Sequence, residues 1–288
     1  MKESKENIEQ ILISSLKKSY NVWQNLGKAG KETVQKNKFR ETALRVDVEI
    51  EEEIINYFRT IDFSVQVHTE EHGVIDIGHP QYLAVIDGLD GTRVFKNNRE
   101  HGRYGTMLGI FAGHNPNYED YLAGGVMEQA SNRLYSASRG QGAFLMKDGQ
   151  RIKISTSNKT NFSPDAVKIY IDEFFEFNRI TFSQKLEGFN LEPYNPDKLG
   201  ASSRSYVDLA AGKAEFVLEC TRKGNLEIAA SYGLIKEAGG VMLDFDGQSL
   251  GLKKYLDWGQ KEQLPVITAA NKKLAEKIIQ YLNKQARK

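Results

Sequence analysis

Asp87 and Asp90 stand three residues apart, between the apolar run Tyr82 to Ile86 and the pair Gly91-Thr92. The run reads as a buried strand, and the acids and glycines that end it would hold charge at the rim of a rigid sheet. Two converging carboxylates repel each other unless a proton or a cation sits between them. With no His or Cys beside them, such hard oxygen donors favour magnesium, manganese or calcium over zinc. Gly91 and Thr92 add backbone N–H groups and a hydroxyl, suited to an anion such as phosphate. The plainer alternative is an Asp/Gly-rich surface turn. A second strand, Phe63 to Val67, runs into Thr69-Glu70-Glu71-His72-Gly73 and so also ends in paired acids, which raises a metal site shared by both strands. His68, His72 and His79 bring no Cys and no helical His pair with them, which argues against zinc.

The elements that must position these acids follow from periodicity. Ile8, Ile11, Leu12, Leu16, Val22 and Leu26 predict a helix over residues 6 to 35, weakened at Gly27 and Gly30. Leu44, Val48, Ile50, Ile54, Ile55 and Phe58 predict a second helix over 44 to 58. Its Glu49, Glu51, Glu52 and Glu53 crowd the first half, where negative charge suits the helix dipole, and Asp47 reads as a cap or first-turn acid. Arg93, Lys96, Arg99 and Arg103 read as a solvated basic loop, with a lid over an anion as the alternative. From Thr106 to Met146, and on to Ile152–Ile154, short β-rich segments separated by Gly and Asn turns predict an antiparallel meander. The polar stretch Ser155 to Pro164 marks a boundary, so that residues 1–155 form an α+β half and 156–288 an α/β half. In the second half strands alternate with helices: strands at 167–171, 215–218, 241–245 and 266–269, and helices at 172–186, 203–212, 225–238 and 272–282.

The totals exclude several classes. The chain has 288 residues, enough for one large core or two modest domains. Its 39 Lys and Arg against 38 Asp and Glu leave no overall argument for binding a nucleic-acid polymer or a membrane surface. The single cysteine, Cys220, excludes an internal disulfide and a cysteine-based metal site and fits a reducing cytoplasm. No signal-peptide run follows Met1, and no stretch approaches the ~20 apolar residues that span a bilayer.

Taken in order, the motifs resemble those of the inositol monophosphatase family of metal-dependent phosphatases. The strand-turn signature Asp-Pro-Ile/Leu-Asp-Gly-Thr/Ser appears as Asp87-Gly88-Leu89-Asp90-Gly91-Thr92. Gly-Glu-Glu appears as Thr69-Glu70-Glu71, and the Gly-x-Gly-Ala-Phe hairpin as Gly140-Gln141-Gly142-Ala143-Phe144. A Gly-Ser/Ala-Ser/Ala turn falls at Gly200-Ala201-Ser202, and Trp-Asp-x-Ala-Ala at Leu226-Glu227-Ile228-Ala229-Ala230. Glu237-Ala238-Gly239-Gly240 and Ala269-Ala270-Asn271 complete the series. Each is weak alone; several in the right order are strong.

The resemblance implies an α/β fold of α-β-α-β-α layers, of sugar-phosphatase type, with the site between the halves. It also implies two or three Mg²⁺ ions, with Mn²⁺ possible, held by Glu70, Asp87, the Leu89 carbonyl, Asp90 and Glu227. By the same resemblance Gly91 and Thr92 bind phosphate, Asp90 and Ala201 face the substrate, and Glu70 and Thr92, the latter paired with Asp47, activate water. Arg222, just before the last acid, is a candidate contact for a second phosphate. The implied partner is a small phosphorylated metabolite, and family members are commonly dimers.

Three departures stand out. Gly88 replaces Pro, which loosens the turn. Leu44 falls where a supporting Thr is usual. Glu227 replaces Asp as ligand of a second ion, while Asn225 supplies a natural N-cap ahead of it. The expected activity is Mg²⁺-dependent hydrolysis of a small phosphate monoester such as inositol monophosphate or fructose 1,6-bisphosphate. The competing readings are a 3′(2′),5′-bisphosphate nucleotidase and a weakened relative that binds metal or phosphate as a regulator.

Overall fold

The computed structural model describes residues 5–37, 42–172 and 191–285. Helix α1, Lys5–Leu26, precedes a short pair of strands, β1 (Thr33–Lys36) and β2 (Thr42–Leu44), and helix α2, Arg45–Thr60. Next come β3 (Val65–Thr69), β4 (Val74–Ile77), β5 (Tyr82–Asp90) and a short helix, α3 (Thr92–Asn97). The meander follows as β6 (Gly105–Ala112), β7 (Tyr121–Glu128), β8 (Arg133–Ser138), β9 (Gly142–Lys147) and β10 (Gln150–Ile154). The rest of the chain forms β11 (Ile169–Asp172), β12 (Asp197–Leu199), α4 (Ser202–Ala210), β13 (Phe216–Cys220), α5 (Leu226–Ala238), β14 (Val241–Asp244), β15 (Pro265–Ala269) and α6 (Lys272–Gln285).

Two sheets hold most strands. The larger runs β10-β9-β8-β7-β6-β5-β3-β4, and its only parallel neighbours are β3 and β5. The smaller runs β12-β11-β13-β15-β14. In the larger sheet the two-residue period sorts side chains cleanly between faces. Ala84, Ile86, Leu108 and Ile110 pack with Leu12 and Leu16 of α1 and Ile50 and Ile54 of α2. Leu83, Val85, Met107 and Phe111 pack instead with Ile228, Ala229 and Leu234 of α5 and Val207 of α4. The smaller sheet gives Val217 and Val266 to that same central layer and turns Phe216, Leu218 and Ile267 toward Leu274 and Ile278 of α6. The order of layers is therefore α-β-α-β-α, as the motifs imply.

Several elements differ from the sequence expectation. The first helix stops at Leu26 rather than running to residue 35, because Gly27 takes φ 51° and the chain leaves through a five-residue 3₁₀ segment, Gly27–Lys31, into β1. Of the helix expected at 172–186, Asp172 instead ends β11, and 173–186 lie outside the described residues. The basic stretch is not uniformly solvated: Arg99 lies 4.1 Å over the Trp23 ring and donates to the Trp23 carbonyl. Arg103 is clamped between Glu128 and Asp208, each 2.7 Å away.

One contact decides where the last acid falls. Gly109 of β6 and Gly124 of β7 face α5 so closely that an added Cβ would sit 2.9 Å from the Ala230 Cα and from the Ala230 carbonyl respectively. Small residues on both sides let the helix settle onto the sheet and bring its first turn, with Glu227, over the end of β5.

Candidate active site

The register between β5 and β6 breaks between Asp87 and Asp90, where β5 bulges. Thr106 donates its hydroxyl to the Gly88 carbonyl at 2.7 Å, and Gln129 donates to the Thr106 oxygen at 2.8 Å and to Ser19 at 3.2 Å. This wholly buried chain holds the bulge from behind. From above, α2 presses on it. A Cβ on Gly88 would come within 2.7 Å of the Asp47 carbonyl oxygen and 3.0 Å of the Glu51 Cγ. Gly88 is therefore a close-approach residue in this chain, and the expectation that it merely loosens the turn is corrected.

The bulge and α5 together gather three acids. Asp87, Asp90 and Glu227 are buried, and each offers a carboxylate oxygen within 4.8 Å of the others. The extra methylene of Glu227 does not keep it out of this cluster. Burial, then the charges of Glu70, Asp90, Glu227 and Asp47, push the Asp87 carboxyl well above the usual range. Asp90 is also raised by burial, against the hydrogen bonds from Ser203 and the charge of Arg222. Its Oδ2 accepts the Ser203 N–H at 2.6 Å, tying the Asp87–Asp90 turn to the start of α4. Buried, crowded carboxylates with this much mutual repulsion call for a cation or a proton, and a hard-oxygen donor set fits Mg²⁺ or Mn²⁺.

The remaining site residues surround the cluster. Glu70 lies close enough to raise Asp87, and its Oε1 accepts the Asn37 side-chain amide at 3.1 Å. Thr92 opens α3, and its hydroxyl is 3.3 Å from the Leu89 carbonyl. Gly91 has φ 91°, and a Cβ there would meet the Ala201 Cβ at 2.6 Å, so the Gly91-Thr92 turn and the Gly200-Ala201 turn touch. Asp47 is buried in the first turn of α2, whose N-cap is Leu44. Leu44 is itself fully buried in the apolar core, which explains why no hydroxyl occupies that position. The Arg222 guanidinium lies 3.5 Å from Glu219 and 3.8 Å from Glu227. Glu219, buried, accepts the Ser202 hydroxyl at 2.5 Å and the Tyr206 hydroxyl. Burial and the charge of Glu227 push its carboxyl up to about 8.

Two sequence readings of these segments change. Asn225 precedes α5 in a left-handed conformation, φ 56°, and does not cap the helix with its side chain; the amide donates instead to the Trp258 carbonyl at 2.8 Å. The acids of α2, read from the sequence together as complementing the helix dipole, divide by their partners. Glu49 pairs with Arg45 and Glu53 with Lys18, whereas Glu51 is fully buried and receives the backbone N–H groups of Glu70, Glu71 and His72. A signal for this was available: Asp47, Glu51, Ile54, Ile55 and Phe58 share one helical face, and that face is buried. Glu237 is a second such residue. Its carboxylate accepts the N–H groups of Gly140 and Gly142 and the Tyr121 hydroxyl, so the Gly-x-Gly hairpin and the Glu-Ala-Gly-Gly motif lock each other.

A five-layer α/β fold with clustered carboxylates at a bulged strand end, beside a Gly-Thr turn, defines a class: metal-dependent phosphoric monoester hydrolases. The family model described as inositol monophosphatase family matches residues 3–287, and the chain belongs to that family. A fructose-1,6-bisphosphatase/inositol-1-monophosphatase of Thermococcus kodakarensis is 26% identical over 223 residues, covering 77% of this chain and 76% of the relative. A bifunctional NADP phosphatase/NAD kinase of Methanococcus maripaludis is 25% identical over 82% of this chain, which spans only 42% of that relative's length. The crystal structure of extragenic suppressor protein suhB from Bartonella henselae has the same fold, with TM-score 0.75 at 18% identity, covering 96% of this chain and 99% of the other. An inositol monophosphatase structure from Anabaena gives TM-score 0.72 at 15% identity, covering 97% and 96%. Among the described residues, no helix is long and apolar enough to cross a membrane.

Proposed function

We propose that this chain hydrolyses a small phosphate monoester with Mg²⁺, in the manner of an inositol monophosphatase or fructose-1,6-bisphosphatase. The observation that carries the proposal is the convergence of Asp87, Asp90 and Glu227 within 4.8 Å, buried. Glu70, Asp87, the Leu89 carbonyl, Asp90 and Glu227 would hold two or three ions, with Mn²⁺ as an alternative. When bound, such ions supply charge neutralisation for the phosphate dianion and lower the pKa of water. The chain's own residues do the rest. Gly91 and Thr92 hold the phosphoryl oxygens with an N–H and a hydroxyl. Asp47 and Glu70, with Thr92, orient the attacking water and take its proton. Asp90 and Ala201 line the substrate side. The division of the chain near residue 155 belongs to the same proposal, supported by the change of sheet after Ile154. So do a cytoplasmic setting and a homodimer.

The second reading is a 3′(2′),5′-bisphosphate nucleotidase, for which Arg222, its guanidinium beside Glu227, is the candidate contact to the second phosphate. A purely regulatory protein is disfavoured by the reach of Glu227 into the cluster. The test is phosphate release by the purified chain, with Mg²⁺ and with EDTA. The panel comprises inositol monophosphate, fructose 1,6-bisphosphate, a 3′,5′-bisphosphate nucleotide and NADP. Mg²⁺-dependent turnover of at least one ester is expected. No turnover of any would count against hydrolysis and for the regulatory alternative.

A further inference from the structure

β3 and β5 are parallel neighbours, and each ends in acids of the site: Glu70 just beyond Thr69, and Asp87 one residue beyond Ile86, the partner of Thr69. What fixes the loop beyond β3 is not strand pairing. The β3–β4 ladder is paired at His68 with Val74, and Thr69 closes the turn by donating to the Gly73 carbonyl. The next three N–H groups turn away from the sheet toward one side chain, with the His72 N–H shared with the Thr69 hydroxyl oxygen at 2.9 Å. The Glu51 Oε1 accepts from Glu70 N at 3.1 Å, and its Oε2 accepts from Glu71 N at 3.0 Å and His72 N at 3.2 Å. The His72 Nδ1 is 2.9 Å from the same Oε2. A carboxylate has room for about four such donors, so its acceptor capacity is filled. The side chain is 0% exposed. Its stem lies against the other strand end: the Glu51 Cγ is 3.0 Å from where a Gly88 Cβ would be.

From this geometry we infer that Glu51 is a positioning residue that sets the spacing between Glu70 and Asp87. The inference rests on the proposed metal role of those two acids. One face of Glu51 holds the loop that carries Glu70, and its stem abuts the bulge that carries Asp87. A carboxylate is required because every donor aimed at it is an N–H, and charged acceptors bind backbone N–H groups more strongly than neutral ones. An amide in its place would turn an NH₂ group toward N–H donors. The loop would release, and Glu70 with it, while Asp87 stays on its strand.

The test uses Mn²⁺ as probe, counted by the loss of its free EPR signal on titration into the folded protein, independently of turnover. Wild type, Glu51→Gln, Glu51→Asp and Glu52→Gln are compared well below their unfolding temperatures. Losing a residue that orients a metal ligand weakens metal affinity by about 10–100-fold. That loss is expected for Glu51→Gln, a smaller one for Glu51→Asp, whose charge remains but is drawn back by a methylene, and none for Glu52→Gln. Glu51→Asp serves where Glu51→Gln does not fold. A lower melting temperature with unchanged Mn²⁺ affinity would make Glu51 merely structural and overturn the inference alone. A wild type that binds Mn²⁺ but hydrolyses no ester overturns the hydrolase reading and leaves this test intact. A wild type that binds no Mn²⁺ overturns both.

Discussion

Gly88→Pro would restore the residue usual in the family signature, and sequence and structure predict opposite outcomes for it. By unfolded-chain entropy alone, proline at a compatible position stabilises by about 0.4–1 kcal/mol. The structure leaves no space for the ring. An ideal Cβ at this position lies 2.7 Å from the Asp47 carbonyl oxygen and 3.3 Å from its carbon. These are backbone atoms in the first turn of α2, so no rotamer change relieves the contact, and the helix start must retreat by several tenths of an ångström. Overpacking of this kind costs about 1–3 kcal/mol, which outweighs the entropic gain. A net loss of about 1–2 kcal/mol corresponds to a melting temperature lower by roughly 2–3 °C for a chain of this length. Because Asp47 and Glu51 ride on the displaced turn, kcat falls too. Gly88→Ala separates the causes: it adds the Cβ with less entropic gain and should lose at least as much stability as the proline. Calorimetry and Mg²⁺-dependent phosphate release on wild type and both variants make the comparison. A Gly88→Pro protein that melts at or above wild type with full activity would refute the close-approach reasoning.

Two further predictions rest on the site and its frame. Glu227→Gln should sharply raise the Mg²⁺ concentration needed for half-maximal turnover, and Glu227→Asp should lower it; if Gln titrates like wild type, Glu227 is only a helix-start acid. Asp208 concerns stability. Burial opposes its ionisation, but the hydrogen bond and charge of Arg103, and the Tyr170 hydroxyl, hold its carboxyl below the ordinary value. Its contribution, about 1.5–3 kcal/mol for hydrogen bonds to a charged group, is therefore complete above the unfolded value near ~3.9. It is lost as pH falls through the lower folded value. The melting-temperature gap between wild type and Asp208→Asn should be constant from neutral pH to about pH 4 and close below that; a gap that stays constant at lower pH contradicts it.

Much of the architecture was legible because its signals are local. The β5 turn combines an apolar run with Asp and Gly, and the meander follows from turn residues, so β6 to β9 fall where the pattern puts them. Helix α1 ended early because Gly27 enters a left-handed conformation, which composition permits but does not require. Glu51 was hidden for a different reason. In sequence it is one of four glutamates in five positions, and only its place on the Asp47, Ile54 and Phe58 face of α2 sets it apart from exposed Glu52. Arg222 was read as a candidate phosphate contact, but Glu219 was obscure because their segment matches no motif; their proximity to Glu227 arises from β13 meeting the first turn of α5 in space. The contact of Glu237 with the Gly140 hairpin links residues 97 apart, a separation at which local pattern is silent.

The central claim is that Asp87 stands where metal charge must be held for phosphate transfer to water. Its most direct test is the turnover of purified Asp87→Asn against wild type on the best ester found, at saturating Mg²⁺, with folding checked by thermal unfolding. Loss of charge stabilisation worth several kcal/mol predicts a fall in kcat of at least ~10³-fold. The fold should remain intact, since the substitution relieves repulsion among buried carboxylates. Near-wild-type turnover by a folded Asp87→Asn protein would contradict the account.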